Sequence, residues 1–265
     1  VGSEMCIRDR LSIQMKLLEQ ELGCPLFERG QKHIRLTDTG KLLYDRAQNI
    51  LKMEASMRQD IEACSRTEKD TIRLGVVSSV ICTRGGEWIS GFLADNSEVR
   101  FEITEANTYS LLEKLRSDII HAALVRTPFA ESEFEVHGLV SEKMIAVLPG
   151  KSGEKHITMA QLAEQPLILY RRWESIILQA FREKELEPRC VCMCDDARTA
   201  VDLAERSVGA AVVPQSALGL VYPERANCLE IPDCPIETQI VLVHKPGTYF
   251  PDSVHRFIEY IEGRV

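Results

Sequence analysis

Five short stretches carry side chains whose type and spacing could do chemistry. In ERGQKHIRLT, Arg29, Lys32, His33 and Arg35 stand together with no acid between residues 29 and 37. Such a cluster suits phosphate oxygens. In RCVCMC, Cys190, Cys192 and Cys194 alternate, so on a strand their thiols share one face. A metal or redox site is conceivable there, but zinc spacing of the CxxC kind is absent. Free cysteine is among the most buried residue types, and small core hydrophobes on a core-facing strand are the preferred reading. Ser78 and Ser79 follow the apolar run TIRLGVV, where backbone N–H groups opening a helix would attract an anion. Arg126 and Thr127 follow IIHAALV, and Tyr170, Arg171 and Arg172 follow PLILY. Neither HExxH, nor G-x-S-x-G, nor a phosphate-binding glycine loop occurs. The six histidines (33, 121, 137, 156, 244 and 255) show no ligand spacing. No catalytic residue, metal site or cofactor is expected, and the protein is read as not an enzyme.

The elements that must position these groups follow from periodicity. Leu11, Met15, Leu18 and Leu22 recur at helical spacing, with Gly23 as a C-cap and Pro25 beyond. The polar side of that helix carries Ser12, Gln14 and Lys16, which can hydrogen-bond to bases and phosphates. LFERGQKHIRLTDTG reads as a small hairpin or wing, with Thr37 capping the next helix. That helix is predicted from about residue 38 to 65. Leu43, Ala47, Ile50, Glu54, Met57, Ile61 and Cys64 form a heptad seam, apolar except at Glu54, which argues for pairing of two chains. From residue 70 strands and helices alternate: TIRLGVV, a helix over about 83–93, VRFEITE, a helix, IIHAALV, and EKMIAVLPG closing a first lobe. A second cycle runs through PLILY, RCVCMC and GAAVVP. The chain finishes with TQIVLVHK and a helix over about 252–262. This order predicts an α/β fold of two lobes with parallel strand pairing and a ligand cleft near the strand ends. Lobe 1 is expected over about 70–149 plus 247–265, and lobe 2 over about 150–246.

The charge is unevenly placed. Residues 11–66 carry nine Lys and Arg against eight Asp and Glu, and residues 1–10 cancel, so residues 67–265 carry −9 of a total of −8. A small basic site on an acidic body is compatible with phosphate contact. Nine cysteines in a chain of 265 residues without a signal-peptide stretch fit a reducing cytoplasm. No apolar run is long enough to span a bilayer.

Taken together, LSIQMKLLEQELGCPLFERG and IRLTDTGKLLY resemble the recognition helix, turn and wing of the LysR-type transcriptional regulators. The shared pattern is Leu-Ser-x-Gln, Leu18-Glu19, Glu21-Leu22-Gly23, Leu26-Phe27-x-Arg29 and Leu36-Thr37-x-x-Gly40. The remainder is similar to that family's effector domain, a two-lobed fold like the periplasmic binding proteins. Ile13 departs from the basic or polar residue common at its position. So do Asp118, His121 and Ser207 from the family's usual pattern. The resemblance implies a partial winged helix-turn-helix over 11–37, a dimerisation helix over 38–68 and an effector-binding domain over 69–265. It implies operator DNA as partner, a homodimer or tetramer, and modulation by a small metabolite. By position, Ser12, Gln14 and Lys16 would face the major groove, while Arg29, Lys32, Arg35 and Thr37 would hold phosphates and the wing. Ser78, Ser79, Arg126, Thr127, Tyr170, Arg171 and Arg172 would face the cleft, where several arginines suggest an organic acid. Arg171 and Arg172 have a second reading, as surface partners of Glu174.

In that family two helices and the start of a third precede the residues matching Leu11, whereas VGSEMCIRDR stands there in this chain. Codons GTG GGC TCG GAG ATG TGT ATA AGA GAC AGn would encode it, a string that looks like a sequencing-library adapter. Residues 1–10 are therefore expected to be an artefact joined to a gene fragment, and weak operator binding is expected of the chain as written.

Overall fold

Helix α1 runs from Gly2 to Leu22, so the helix expected from Leu11 begins earlier. This computed structural model describes residues 2–29, 34–65 and 71–264. Gly30, Lys32 and His33 lie outside the described residues, as do the side chains of Arg29, Ile61 and Cys64. Two compact units divide between Cys64 and Ser65.

In the first unit, α1 ends at Gly23, whose φ of +67° supplies the left-handed turn that glycine adopts without strain. Strands β1 (Phe27–Arg29) and β2 (Ile34–Leu36) pair antiparallel, with Glu28 opposite Arg35. Helix α2 then spans Asp38–Ser65. The joint between these pieces explains much of the sequence pattern. The carboxylate of Glu19 accepts from the backbone N–H of Leu26 at 2.7 Å and of Phe27 at 3.2 Å. The Thr37 hydroxyl donates to the Pro25 carbonyl at 2.7 Å and accepts from the Gly40 N–H at 2.9 Å, capping α2. A Cβ on Gly40 would stand 2.1 Å from the Leu26 carbonyl oxygen, so only glycine fits there.

In the second unit, nine strands among the described residues form one sheet in the order β4-β3-β5-β11-β6-β9-β7-β8, with β10 also on β6. Here β3 is Thr71–Val76, β4 Arg100–Glu105, β5 Ala122–Arg126 and β6 Glu135–Pro149. Then come β7 Pro166–Tyr170, β8 Arg189–Cys194, β9 Ala210–Pro214, β10 Ala226–Glu230 and β11 Glu237–His244. β3 pairs parallel with β4 and β5, and β7 pairs parallel with β8 and β9. Two buried cores result, one around Leu74, Phe92, Leu124 and Phe257, the other around Ile168, Trp173, Phe181 and Val212.

The lobe boundary differs from the sequence expectation. β11, expected in the second lobe, lies in the first, antiparallel to β5 and to the start of β6. β6 belongs to both lobes: its first half pairs with β11, and Met144 to Pro149 pair with β9 and β10. Hydrophobic alternation reports that a segment is a strand, not which neighbour it takes, and that is why the border was misplaced. The helix expected from about 83 starts at Ser78 as a single turn, Ser78–Val80. It kinks at Thr83 and resumes as Gly86–Asp95. The cysteines do not share one burial either. Cys190 is exposed, Cys192 half-buried and Cys194 buried, because β8 is the edge strand and its register on β7 shifts between Leu167 and Ile168.

Candidate functional site

The first candidate surface is the outer side of α1 with the hairpin. Ser12, Gln14 and Lys16 are all exposed. At 100° per residue, Ser12 and Lys16 share one shoulder of the helix, and Gln14 stands about 200° from Ser12. The exposed ridge between them carries Ile13 and Leu17. The expected polar face is therefore two polar shoulders on an apolar ridge. Of the anticipated inner stripe, Met15 and Leu18 are half-buried while Leu11 and Leu22 are exposed. Arg35 is exposed on β2, and Thr37 holds the hairpin base to α2. On α2, Leu43 and Ala47 are half-buried and Ile50 and Met57 exposed; Glu54 forms an ion pair with Arg58.

The second candidate site lies where the lobes meet. Ser79, Arg126, Tyr170 and Arg172 are brought together there. The Arg126 guanidinium donates to Ser79 Oγ at 3.0 Å, to Glu142 Oε2 at 2.9 Å and to Ser216 Oγ at 2.5 Å. The Arg126 and Glu142 side chains are 1% and 6% exposed, and burial pushes the guanidinium below its ordinary pKa despite the carboxylate beside it. Arg126, expected to meet an effector anion, is thus already neutralised by Glu142. The Ser216 N–H also donates to Glu142, at 3.2 Å, so this network stitches the two lobes.

Arg171 points outward to Asp195 on the surface, and its guanidinium pKa is raised by that hydrogen bond. Its expected place in the cleft is corrected, and the ion-pair reading holds with Asp195 in place of Glu174. Thr127 turns its hydroxyl to β11, accepting from the Gln239 N–H at 3.0 Å. Ser78 is hydrogen-bonded to Asp196, which caps helix α8 (Ala197–Glu205) by accepting from the Arg198 N–H at 2.7 Å. Burial alone would raise the Asp196 pKa, but hydrogen bonds from Arg198 and Ser78 outweigh it and hold the carboxyl below its ordinary value. Arg198 also reaches Glu105 on the first lobe. Glu142, Ser216 and the cross-lobe contacts of Asp196 and Arg198 leave no mark in the sequence, because Arg126, Ser78 and Glu105 reach them from other strands and helix ends; only the Asp196 cap on Arg198 is local.

Arg172 differs from its neighbours. One terminal nitrogen donates to the backbone carbonyls of Arg126 and of Pro128, the latter at 3.3 Å. Its guanidinium lies 5.7 Å from the Tyr109 ring centre and 5.3 Å from that of Trp173. Burial pushes its pKa down. No carboxylate among the described residues pairs with it, and its Nε is buried without a hydrogen-bond partner. A cavity of about 660 Å³ nearby is lined by Thr127, Pro128 and Trp173. Another, of about 520 Å³, is lined by Thr83, Glu142 and Ser216.

A helix, a hairpin wing and a long helix, with a separate two-lobed sheet domain, define a regulator class. Comparison with known proteins agrees. The profile of the bacterial regulatory helix-turn-helix proteins of the lysR family matches residues 8–41, and that of the LysR substrate binding domain matches residues 65–265. The chain belongs to the LysR family of DNA-binding transcriptional regulators and is not an enzyme. The HTH-type transcriptional regulator BsdA of Bacillus subtilis (strain 168) is 26% identical over 259 residues, covering 94% of this chain and 89% of its own. Full-length CbnR, solved in complex with its target DNA, shares the fold with a TM-score of 0.76 at 21% identity, over 97% of this chain and 90% of its own. The effector binding domain of QuiR, in complex with shikimate, gives a TM-score of 0.64 at 17% identity, over 73% of this chain and 96% of its own. No helix among the described residues is long and apolar enough to cross a membrane.

Proposed function

We propose that this regulator works in the cytoplasm as a homodimer or tetramer. It reads an operator through α1 and the hairpin, and a small organic acid bound between its lobes sets its grip on DNA. Residues 11–37 serve as the DNA-reading part, 38–68 as the dimerisation helix and 69–265 as the effector domain. Ser12, Gln14 and Lys16 meet the major groove, and Arg29, Lys32 and Arg35 meet phosphates, with Thr37 holding the wing. Exposure of Ile50 and Met57 on the α2 seam supports its pairing with a second copy. CbnR is seen with its target DNA and QuiR with shikimate, a carboxylate, which supports both halves of the reading.

One observation carries the anionic effector: among the described residues no carboxylate pairs with the cleft cation Arg172, and its buried Nε–H is left over. A carboxylate beside it would accept that hydrogen and meet the charge, as guanidinium geometry favours. Tyr170 stands by it, while Arg126, held by Ser79 and Glu142, supplies the rigid joint behind. Coupling of such a site to DNA is typically worth ~1–3 kcal/mol.

The test uses Trp173, which lies against Arg172. Organic acids are titrated into the protein with tryptophan emission and melting temperature recorded. A carboxylate that shifts both should lose its effect in Arg172→Gln and keep it in Arg171→Gln. Equal binding to wild type and Arg172→Gln would sink the assignment.

A further inference from the structure

Away from the cleft, three side chains distant in sequence meet at the end of the first lobe's sheet. The antiparallel register places His244 of β11 opposite Glu135 of β6 and diagonal to His137, so all three lie on one face. His137 Nε2 and His244 Nε2 are 3.0 Å apart, and Glu135 Oε2 is 3.4 Å from His244 Nε2. The rings are nearly parallel, 23° apart, and Phe250 stands edge-on to His244.

The outer ring nitrogens are engaged. His137 Nδ1 contacts the carboxylate of Glu262 on the terminal helix α9 (Asp252–Glu262), and His244 Nδ1 faces the Lys245 carbonyl at 3.3 Å. Both of those oxygens only accept, so each Nδ1 carries its hydrogen and each neutral ring leaves Nε2 bare. Two bare nitrogens at 3.0 Å repel each other unless a cation lies between them. A tetrahedral ion with bonds of about 2.0–2.1 Å to nitrogen and oxygen spaces its ligands about 3.3 Å apart. The 3.0 and 3.4 Å spacings around His244 bracket that value; the third pair, Glu135 and His137, lies within 4.8 Å, and a rotation of the half-exposed Glu135 side chain would draw it in. A carboxylate and a backbone carbonyl on the outer nitrogens are the supports that metal-bound histidines use.

We propose that Glu135 Oε2, His137 Nε2 and His244 Nε2 bind one divalent first-row transition-metal ion. Two imidazoles and one carboxylate favour Zn²⁺, Co²⁺ or Ni²⁺ over Mg²⁺ or Ca²⁺, and leave a fourth position for water. Glu135 is half exposed, which gives the ion a path in. The ion joins β6 to β11 and, through Glu262, ties α9 to both.

The test uses the full chain without an affinity tag, chelator-stripped and with its thiols reduced, titrated with Co²⁺ and then Zn²⁺. One Co²⁺ per chain should bind, with visible d–d absorption and no intense near-ultraviolet thiolate band, and Zn²⁺ should displace it. His137→Gln removes a ligand and should weaken binding by at least about tenfold, the loss that even an outer supporting residue causes, and Glu135→Gln, an exposed change that leaves the fold intact, should weaken it less. Circular dichroism checks that both variants are folded. Three results would each overturn the proposal. One is the absence of Co²⁺ or Zn²⁺ binding, which leaves a shared proton between the rings. The others are a thiolate spectrum, and affinity unchanged in folded His137→Gln.

Discussion

The two units of this chain are held together over very different distances in sequence. In the first, the contacts that fix the hairpin join residues seven to fourteen positions apart: Glu19 to Leu26, and Thr37 and Thr39 to Pro25. In the second, the decisive polar contacts join Arg126 to residues 47, 16 and 90 positions away, and His137 to His244 across 107. Local contacts write themselves into a motif, because the same few residues must recur at fixed spacing. Long-range ones leave no such trace. A lysine or arginine in the second unit can be neutralised by any acid that the fold delivers, and the sequence does not name it.

Three perturbations sharpen that contrast. The largest is expected at the buried pair. Glu142→Met leaves the Arg126 charge without its carboxylate at 1% exposure, which should cost about 3–5 kcal/mol. Adding Arg126→Met should restore much of the loss. Urea unfolding followed by tryptophan emission reads this, since Trp88 and Trp173 both lie in the second unit, one in each core. If the double variant is no more stable than the single, the ion pair is not what Glu142 supplies.

A smaller effect belongs to the first unit. Gly40→Ala drives a Cβ into the Leu26 carbonyl and should destabilise the hairpin joint by about 1–3 kcal/mol. Helical circular dichroism should show the loss while the tryptophan transition stays in place. A tryptophan midpoint that falls in step would show that the two units unfold together and that the hairpin joint is not held by local contacts alone.

The smallest effect is pH-dependent and sits at the lobe junction. Asp196 has a pKa held below its ordinary 3.8, so its charge stabilises the folded protein above about that pH. The contribution drains away as the pH falls through the lower folded value. Wild type should therefore be more stable than Asp196→Asn near neutrality, with the two converging in acid. A gap that widens on acidification would contradict the Asp196–Arg198 assignment.

These contrasts also explain what was legible. The turn at Gly23 and the cap at Thr37 were readable because each answers a backbone demand within a few residues, whereas Gly40, which answers the Leu26 carbonyl fourteen positions away, entered only through the family pattern. The amphipathic helices and apolar strands of the second unit were readable from their periods, and the terminal helix falls at residues 252–262 as expected. Arg126, Arg171 and Arg172 looked alike in the sequence, yet one is neutralised inside, one is paired on the surface and one lacks a carboxylate. The histidines are scattered along the chain, whereas an antiparallel register brings His137 and His244 together across it. The alternating cysteines were expected on one face, but an edge position and a register shift graded their burial. Burial pushes the thiols of Cys194, Cys228 and Cys234 up, so thiolate is scarce there.

By itself the sequence determined most of the helices and strands, the turn at Gly23 and the cap at Thr37, and with them the family resemblance, since each depends on neighbours a few residues away. Only the tertiary structure decided where the lobes divide, which cleft arginine keeps its charge uncompensated, and that two histidines face each other beside a carboxylate. The physical reason is one of range. Backbone geometry and hydrophobic period are set locally, while the fate of a buried charge or a bare ring nitrogen is set by whatever the fold places within a few ångströms of it.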